Sequence, residues 1–143
     1  MCPDRTLRET AHRNLKRLLA NGPLTAVPTR PSDQDLLVAL AVSQFETQRT
    51  YRENEVNEKL KTWLERFCDP FGIDHVTLRR LMVDSRLMAR TNSGSIYRVN
   101  LERVGEMDAV RTVDPVHVLA EVRSERESRK RLHFRTQERP DRL

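Results

Sequence analysis

Long apolar runs are missing from this chain: none approaches the roughly 20 residues that a membrane-crossing helix needs, so no bilayer span is expected. The opening stretch "MCPDRTLRET" lacks the apolar h-region of a secretory signal, and a cytoplasmic protein is expected. Cysteine is scarce. Cys2 and Cys68 are too few for a disulfide framework, and a reducing compartment keeps both as thiols. Four glycines, two tyrosines and one tryptophan argue against a barrel or sandwich and for a helical fold.

Chemistry-bearing motifs are also missing. The histidines His12, His75, His117 and His133 show no ligand spacing with one another or with the cysteines, so no metal and no cofactor is expected. The dipeptide Cys2-Pro3, with His12 nearby, is too short a signal to carry a haem. There is no GxSxG, no glycine-rich phosphate loop and no HExxH. Glu53 and Glu55 stand two apart, on different faces of a helix, which is not an acid/base pair. The reading is therefore non-enzymatic.

What is present is charge. Residues 1–31 carry +4, residues 32–122 carry −3 and residues 123–143 carry +4, so two basic ends flank a mildly acidic middle. That pattern suits a phosphate-rich partner, or solubility alone. Arginine outnumbers lysine 22 to 4. Its fork makes contacts that lysine cannot, but a GC-rich genome produces the same bias, so the ratio by itself decides nothing.

The periodicities give an order of elements. A helix is expected over 5–20 from Leu7, Ala11, Leu15, Leu18 and Leu19, stopped by "NGP" at 21–23. Ser32 is expected to cap a core helix that ends near Thr47. A short strand-like "RTY" follows at 49–51. A third helix over 53–67 has Val56, Leu60, Trp63, Leu64 and Phe67 as its buried stripe, with acids near its start. Asp74 caps a fourth helix over 75–86. "LMAR" and "SIYRV" flank the turn "TNSG" and form a hairpin. Beyond Val99 the chain turns polar until Asp114-Pro115, an N-cap and N1 pair, opens a helix over about 115–132 with Val116, Leu119 and Val122 on its apolar side.

This order is that of a winged helix-turn-helix. The fold class is mainly α: a winged helix-turn-helix core with a small β-hairpin wing, plus N- and C-terminal helices. The divisions are a basic helix at 1–23, a winged-helix domain at 24–99, and a polar linker with a basic helix and tail at 100–143. The helix at 5–20 should pack through Leu7, Leu15 and Leu18. A core of this size is not expected to bury the stripes of both terminal helices, so a homodimer through one of them is expected.

On a helical wheel, Leu78, Leu81, Met82 and Ser85 share one face of the fourth helix, and Val76, Arg79, Arg80 and Val83 lie roughly opposite. Arginine grips guanine O6 and N7 with two bonds, and a valine methyl meets the thymine methyl. The candidate nucleic-acid residues are Arg79 and Arg80 with Val76 and Thr77 on the helix, and Arg86, Arg90 and Arg98 at its end and on the wing, suited to phosphates. With Arg79 exposed, its replacement should leave the melting temperature nearly unchanged. The competing reading pairs Arg79 or Arg80 with Glu53 or Glu55, which fixes two helices against each other; both readings stay open. Asn57, a mediocre helix former in mid-helix, is expected to bond a backbone group at the corner.

Residues 51–99 closely resemble the bacterial family of domains of unknown function numbered 2087. The pattern is Y-x-E-x-E-V-N, an Asp, L-R-R-x-(L/M)-V-D, L-x-R and G-x-x-Y. Here it falls on Tyr51, Glu53, Glu55, Val56, Asn57, Asp74, Leu78, Arg79, Arg80, Met82, Val83, Asp84, Leu87, Arg90, Gly94 and Tyr97. "LTAVPTRPSDQDLLVALAVSQF" fits the lead-in, although "TRPSDQD" is acidic where the family is commonly lysine-rich. The resemblance implies a nucleic-acid-binding domain of the kind found in transcriptional regulators and no catalytic residues. Two functions stay open. One is a DNA-binding transcriptional regulator acting on double-stranded DNA. The other is an interaction module docking on RNA, a ribosome or a polymerase.

Overall fold

A computed structural model describes residues 3–69, 72–108 and 110–138. The order is α1 (Pro3–Leu18), α2 (Pro31–Val42), β1 (Thr50–Arg52), α3 (Glu53–Phe67), α4 (His75–Asp84), β2 (Met88–Arg90) and β3 (Ile96–Val99). A 3-10 turn (Leu101–Arg103), α5 (Val104–Asp108) and α6 (Pro115–Glu138) follow. The fold is mainly α with one small antiparallel sheet in the order β1-β3-β2. The strand-like segment before α3 is thus the third strand of the wing sheet, with Tyr51 opposite Tyr97. No helix among the described residues is long and apolar enough to cross a membrane.

Three of the elements have the expected bounds or caps. The α3 stripe of Val56, Leu60, Trp63, Leu64 and Phe67 is buried along its whole length. Its first turn is closed by Glu55, whose carboxylate accepts the Arg52 N–H at 3.1 Å. The Asp74 carboxylate accepts the Val76 N–H at the start of α4, and Asp114 accepts the Val116 N–H at the start of α6.

Elsewhere the structure corrects the expectation. Helix α2 opens on Arg30 and Pro31 with no side-chain cap. Asp33, in its first turn, is buried and bound to Arg17 at 2.6 Å. The helix stops at Val42, not Thr47, because Ser43 turns back on it: its N–H bonds the Ala39 carbonyl and its hydroxyl the Leu40 carbonyl. Helix α4 stops at Asp84 rather than at 86. Helix α1 packs through Ala11, Leu15 and Leu19, and Leu7 is 54% exposed. On α6 it is Val118, Leu119 and Val122 that are buried, whereas Val116 faces outward. The stretch after Val99 is folded: Met107, Val110 and Val113 are buried in the core, and α5 lies on α2.

One core joins these elements, and it takes in Ala11, Leu15 and Leu19 at the N-terminal end and Val118 and Leu119 of α6, while Leu7 and Val116 stay outside it. Helices α1 and α6 meet directly, with Lys16 on Glu125 at 2.6 Å and His12 on Glu121 at 3.2 Å. The Lys16 hydrogen bond holds the Glu125 carboxyl below its ordinary value. Cys2 lies outside the described residues, so the Cys2-Pro3 pair has no structural account here.

Candidate nucleic-acid interface

Helix α4 is anchored by Leu78 and Met82, which are wholly buried. That fixes which residues face out. Val76, Arg79, Arg80, Val83 and Asp84 recur at three and four positions, along one open side. Together with Arg90 from the end of β2 they line a pocket of about 170 Å³ between the helix and the wing.

Arg79 is drawn inward. Its side chain is only 16% exposed, and Nη1 lies 3.2 Å from Glu53 Oε1. The same Nη1 donates to Asn57 Oδ1. The guanidinium also stands 5.9 Å from the centre of the Tyr97 ring. Of the two readings open for this residue, it is the pairing with Glu53 that has a geometry here. Glu55 holds Arg49 instead, at 3.0 Å. Asn57 therefore serves a side chain on the next helix, and not a backbone group at the corner. Both contacts fall on Nη1.

Arg80 is exposed on the same side of α4, and no ion-pair partner holds it among the described residues. Thr77, also a candidate contact, is tied to the helix cap by a 3.4 Å hydrogen bond from its hydroxyl to Asp74. Arg86 directly follows the last turn and takes φ 67°, a left-handed conformation that costs a side-chain-bearing residue roughly 1–2 kcal/mol. The turn is clamped from beyond the wing. Asn100 Nδ2 donates to the Arg86 carbonyl at 2.7 Å, the Asn100 N–H donates to the Leu87 carbonyl, and Arg103 Nη1 donates to the Ser85 carbonyl at 2.9 Å.

The wing arginines differ. On β3 the side chains alternate, so Tyr97 and Val99 go into the core and Arg98 faces out. Its cross-strand neighbours are Thr50 and Ala89, both short, which leaves Arg98 uncovered. Arg90 lies over the wing turn. A Cβ on Gly94 would come within 3.0 Å of Arg90 Nη1, and Gly94 itself has φ 73°, so glycine both makes the turn and leaves room for the guanidinium. The structure thus brings Val76, Arg79, Arg80 and Arg90 together around one pocket; Arg86, Arg98 and Thr77 lie outside it. Sequence reasoning leaves out Asp84 as a lining residue, although its spacing of four from Arg80 places it there.

Residues 23–99 match the family described as "Uncharacterized protein conserved in bacteria (DUF2087)". The chain belongs to this family. The match spans α2 to β3, and so holds the pocket, the Arg79 clamp and the wing. Comparison with curated proteins and with solved structures gave no match.

Proposed function

We propose that this member of the family binds double-stranded DNA in a sequence-dependent way through the open side of α4 and the wing, as a small bacterial transcriptional regulator. The observation that carries the reading is where exposed arginines, unpaired among the described residues, stand together: on the open side of α4, just after its end and on the wing. Arg17, Arg49, Lys16 and Lys61 are each held by a carboxylate. Arg80, Arg86, Arg90 and Arg98 are exposed and hold no ion pair among the described residues. In this reading the open side of α4, with Val76, faces base edges, and Arg80, Arg86, Arg90 and Arg98 meet phosphates. Arg79 fixes the helix that presents them.

The test is duplex binding across a salt series. Affinity should fall steeply as salt rises, because each neutralised phosphate releases counterions. Replacing Arg90 and Arg98 together by alanine should weaken binding to all duplexes alike and flatten the salt slope by about 2. Replacing Arg80 should likewise weaken binding to all duplexes alike, and replacing Val76 should relax one base position. Absence of duplex binding at low salt would end the reading.

A second reading has its own observation. Leu7 overlooks a groove of about 560 Å³ that is also walled by Ala11, Leu36, Val38, Ala39 and Leu87. An interaction module whose exposed face meets another protein, such as one of a ribosome or polymerase complex, would use such a groove. Binding there should persist at high salt and fail on Leu7→Asp.

A further inference from the structure

The geometry points to a phosphoryl-binding pocket between α4 and the wing, in which Arg79, Arg80 and Arg90 converge on one tetrahedral oxyanion. The inference rests on the nucleic-acid reading for the source of that group and goes further in naming the seat.

Size sets the class of ligand. The pocket holds about 170 Å³. Four oxygens around phosphorus occupy on the order of 120 Å³, taking about 30 Å³ for each as for water. A whole drug-sized or nucleotide ligand needs about 300 Å³ or more. One phosphoryl group fits, and the sugar and base must stay outside.

Charge and direction set the chemistry. Three guanidinium groups and one carboxylate, Asp84, line the walls, which leaves a net positive site. Among the described residues no ion pair joins Asp84 to Arg79, Arg80 or Arg90; Arg79 is already paired with Glu53, so the uncompensated charge lies on Arg80 and Arg90. Arg79 supplies preorganisation. With Nη1 fixed by Glu53 and Asn57, its other hydrogens are held in place before any ligand arrives. Arg90 comes from a different element and is seated over Gly94, so the group would bridge helix and wing. Asp84 opposes a bare anion and accepts a hydrogen from a hydroxyl or amino group beside it.

The test uses the full chain and inorganic phosphate at constant ionic strength, read on the side-chain Nε–H signals of Arg79, Arg80 and Arg90 by NMR. All three should shift together with saturation, and chloride at equal ionic strength should not reproduce the shift. Arg90→Gln should lower phosphate affinity about tenfold, as expected for the loss of one charge-assisted contact, and Asp84→Asn should raise it. Unmoved signals, or equal shifts with chloride, would overturn the pocket. Circular dichroism of Arg90→Gln should match the parent; because the residue is exposed, a lost fold would itself contradict the seat drawn here.

Duplexes with and without 5′-phosphates separate the sources. Phosphate that displaces both equally marks a backbone phosphodiester, and phosphate that displaces the phosphorylated one alone marks a terminal monoester. Duplex binding with a steep salt slope but no effect of phosphate on the three signals removes the pocket and leaves the nucleic-acid reading standing. Phosphate binding without duplex binding does the reverse.

Discussion

Arg79 on α4 and Asn57 on α3, 22 positions apart, are joined by a hydrogen bond from Nη1 to Oδ1, and Glu53 receives the same nitrogen at 3.2 Å. The next arginine in the chain, Arg80, is exposed. Two adjacent residues of one type thus divide the work. One joins the two helices, and the other is left to the surface.

That division is measurable. Arg79→Ala should destabilise the chain by about 1–3 kcal/mol, since it strands the Asn57 carbonyl and removes an ion pair from a half-buried site. A cycle with Asn57→Ala should show coupling of about 0.5 kcal/mol or more. Arg80→Ala should leave stability within about 0.5 kcal/mol of the parent. Urea denaturation of the four variants is sufficient. Additive single effects would mean that the contact contributes nothing.

Arg86 gives a prediction of opposite sign. A left-handed position after a helix is the usual place for glycine, yet an arginine occupies it at φ 67°. Arg86→Gly relieves the steric cost but makes the unfolded chain more flexible, so stability should rise by up to about 1 kcal/mol. Affinity for duplex DNA should fall at the same time if its guanidinium meets a phosphate. A variant that is more stable and binds equally well would free Arg86 of that role.

The sequence made α3 and the wing legible because their signals are local. The stripe from Val56 to Phe67 has helical spacing, and "TNSG" suits a tight turn. Three things were hidden for physical reasons. Val104, Met107, Val110 and Val113 recur every three residues, a spacing that matches neither an amphipathic α-helix nor a strand, so the helix α5 and the burial of Met107 were missed. Leu7 fits the periodicity of α1, but it overhangs the end of the core. The direction of Arg79 depends on partners 22 and 26 residues earlier, and a wheel places a Cβ, not the end of a long side chain.

Cys68 closes α3 at the point where Leu24 runs beside it, with the Asp69 N–H donating to the Leu24 carbonyl at 2.9 Å. Burial, with the Asp69 carboxylate adding to it, pushes the thiol up from 9.0 to about 12. In a Cys2→Ser background the thiol should react slowly with a disulfide reagent at pH 8 and fast once urea is added. The linkage has a definite sign. Between about pH 9 and about 12 the unfolded chain gives up a proton that the folded chain keeps, so stability present below pH 9 is lost across that window. Cys68→Ala should lose less over the same range.

The bond between Arg17 and Asp33 yields the last prediction. Its length is 2.6 Å, and its two ends differ: the Arg17 side chain is 50% exposed and that of Asp33 only 6%. The partners are therefore not equivalent. Arg17→Ala leaves a buried carboxylate without its guanidinium and should cost about 1.5–3 kcal/mol. Asp33→Asn removes the buried charge itself and keeps an oxygen that Arg17 can donate to. It gives up mainly the charge-assisted part of that bond and the small favourable interaction of an acid with the first turn of α2, about 0.3–1 kcal/mol. It should therefore cost less than Arg17→Ala. With the arginine already gone, adding Asp33→Asn should restore part of the loss, because an uncharged amide is easier to bury than a lone carboxylate. Thermal melts of the two single variants and the double variant at pH 7 establish the order. If the double variant is less stable than Arg17→Ala, the carboxylate is being satisfied by something other than Arg17, and the pair does not tie α1 to α2.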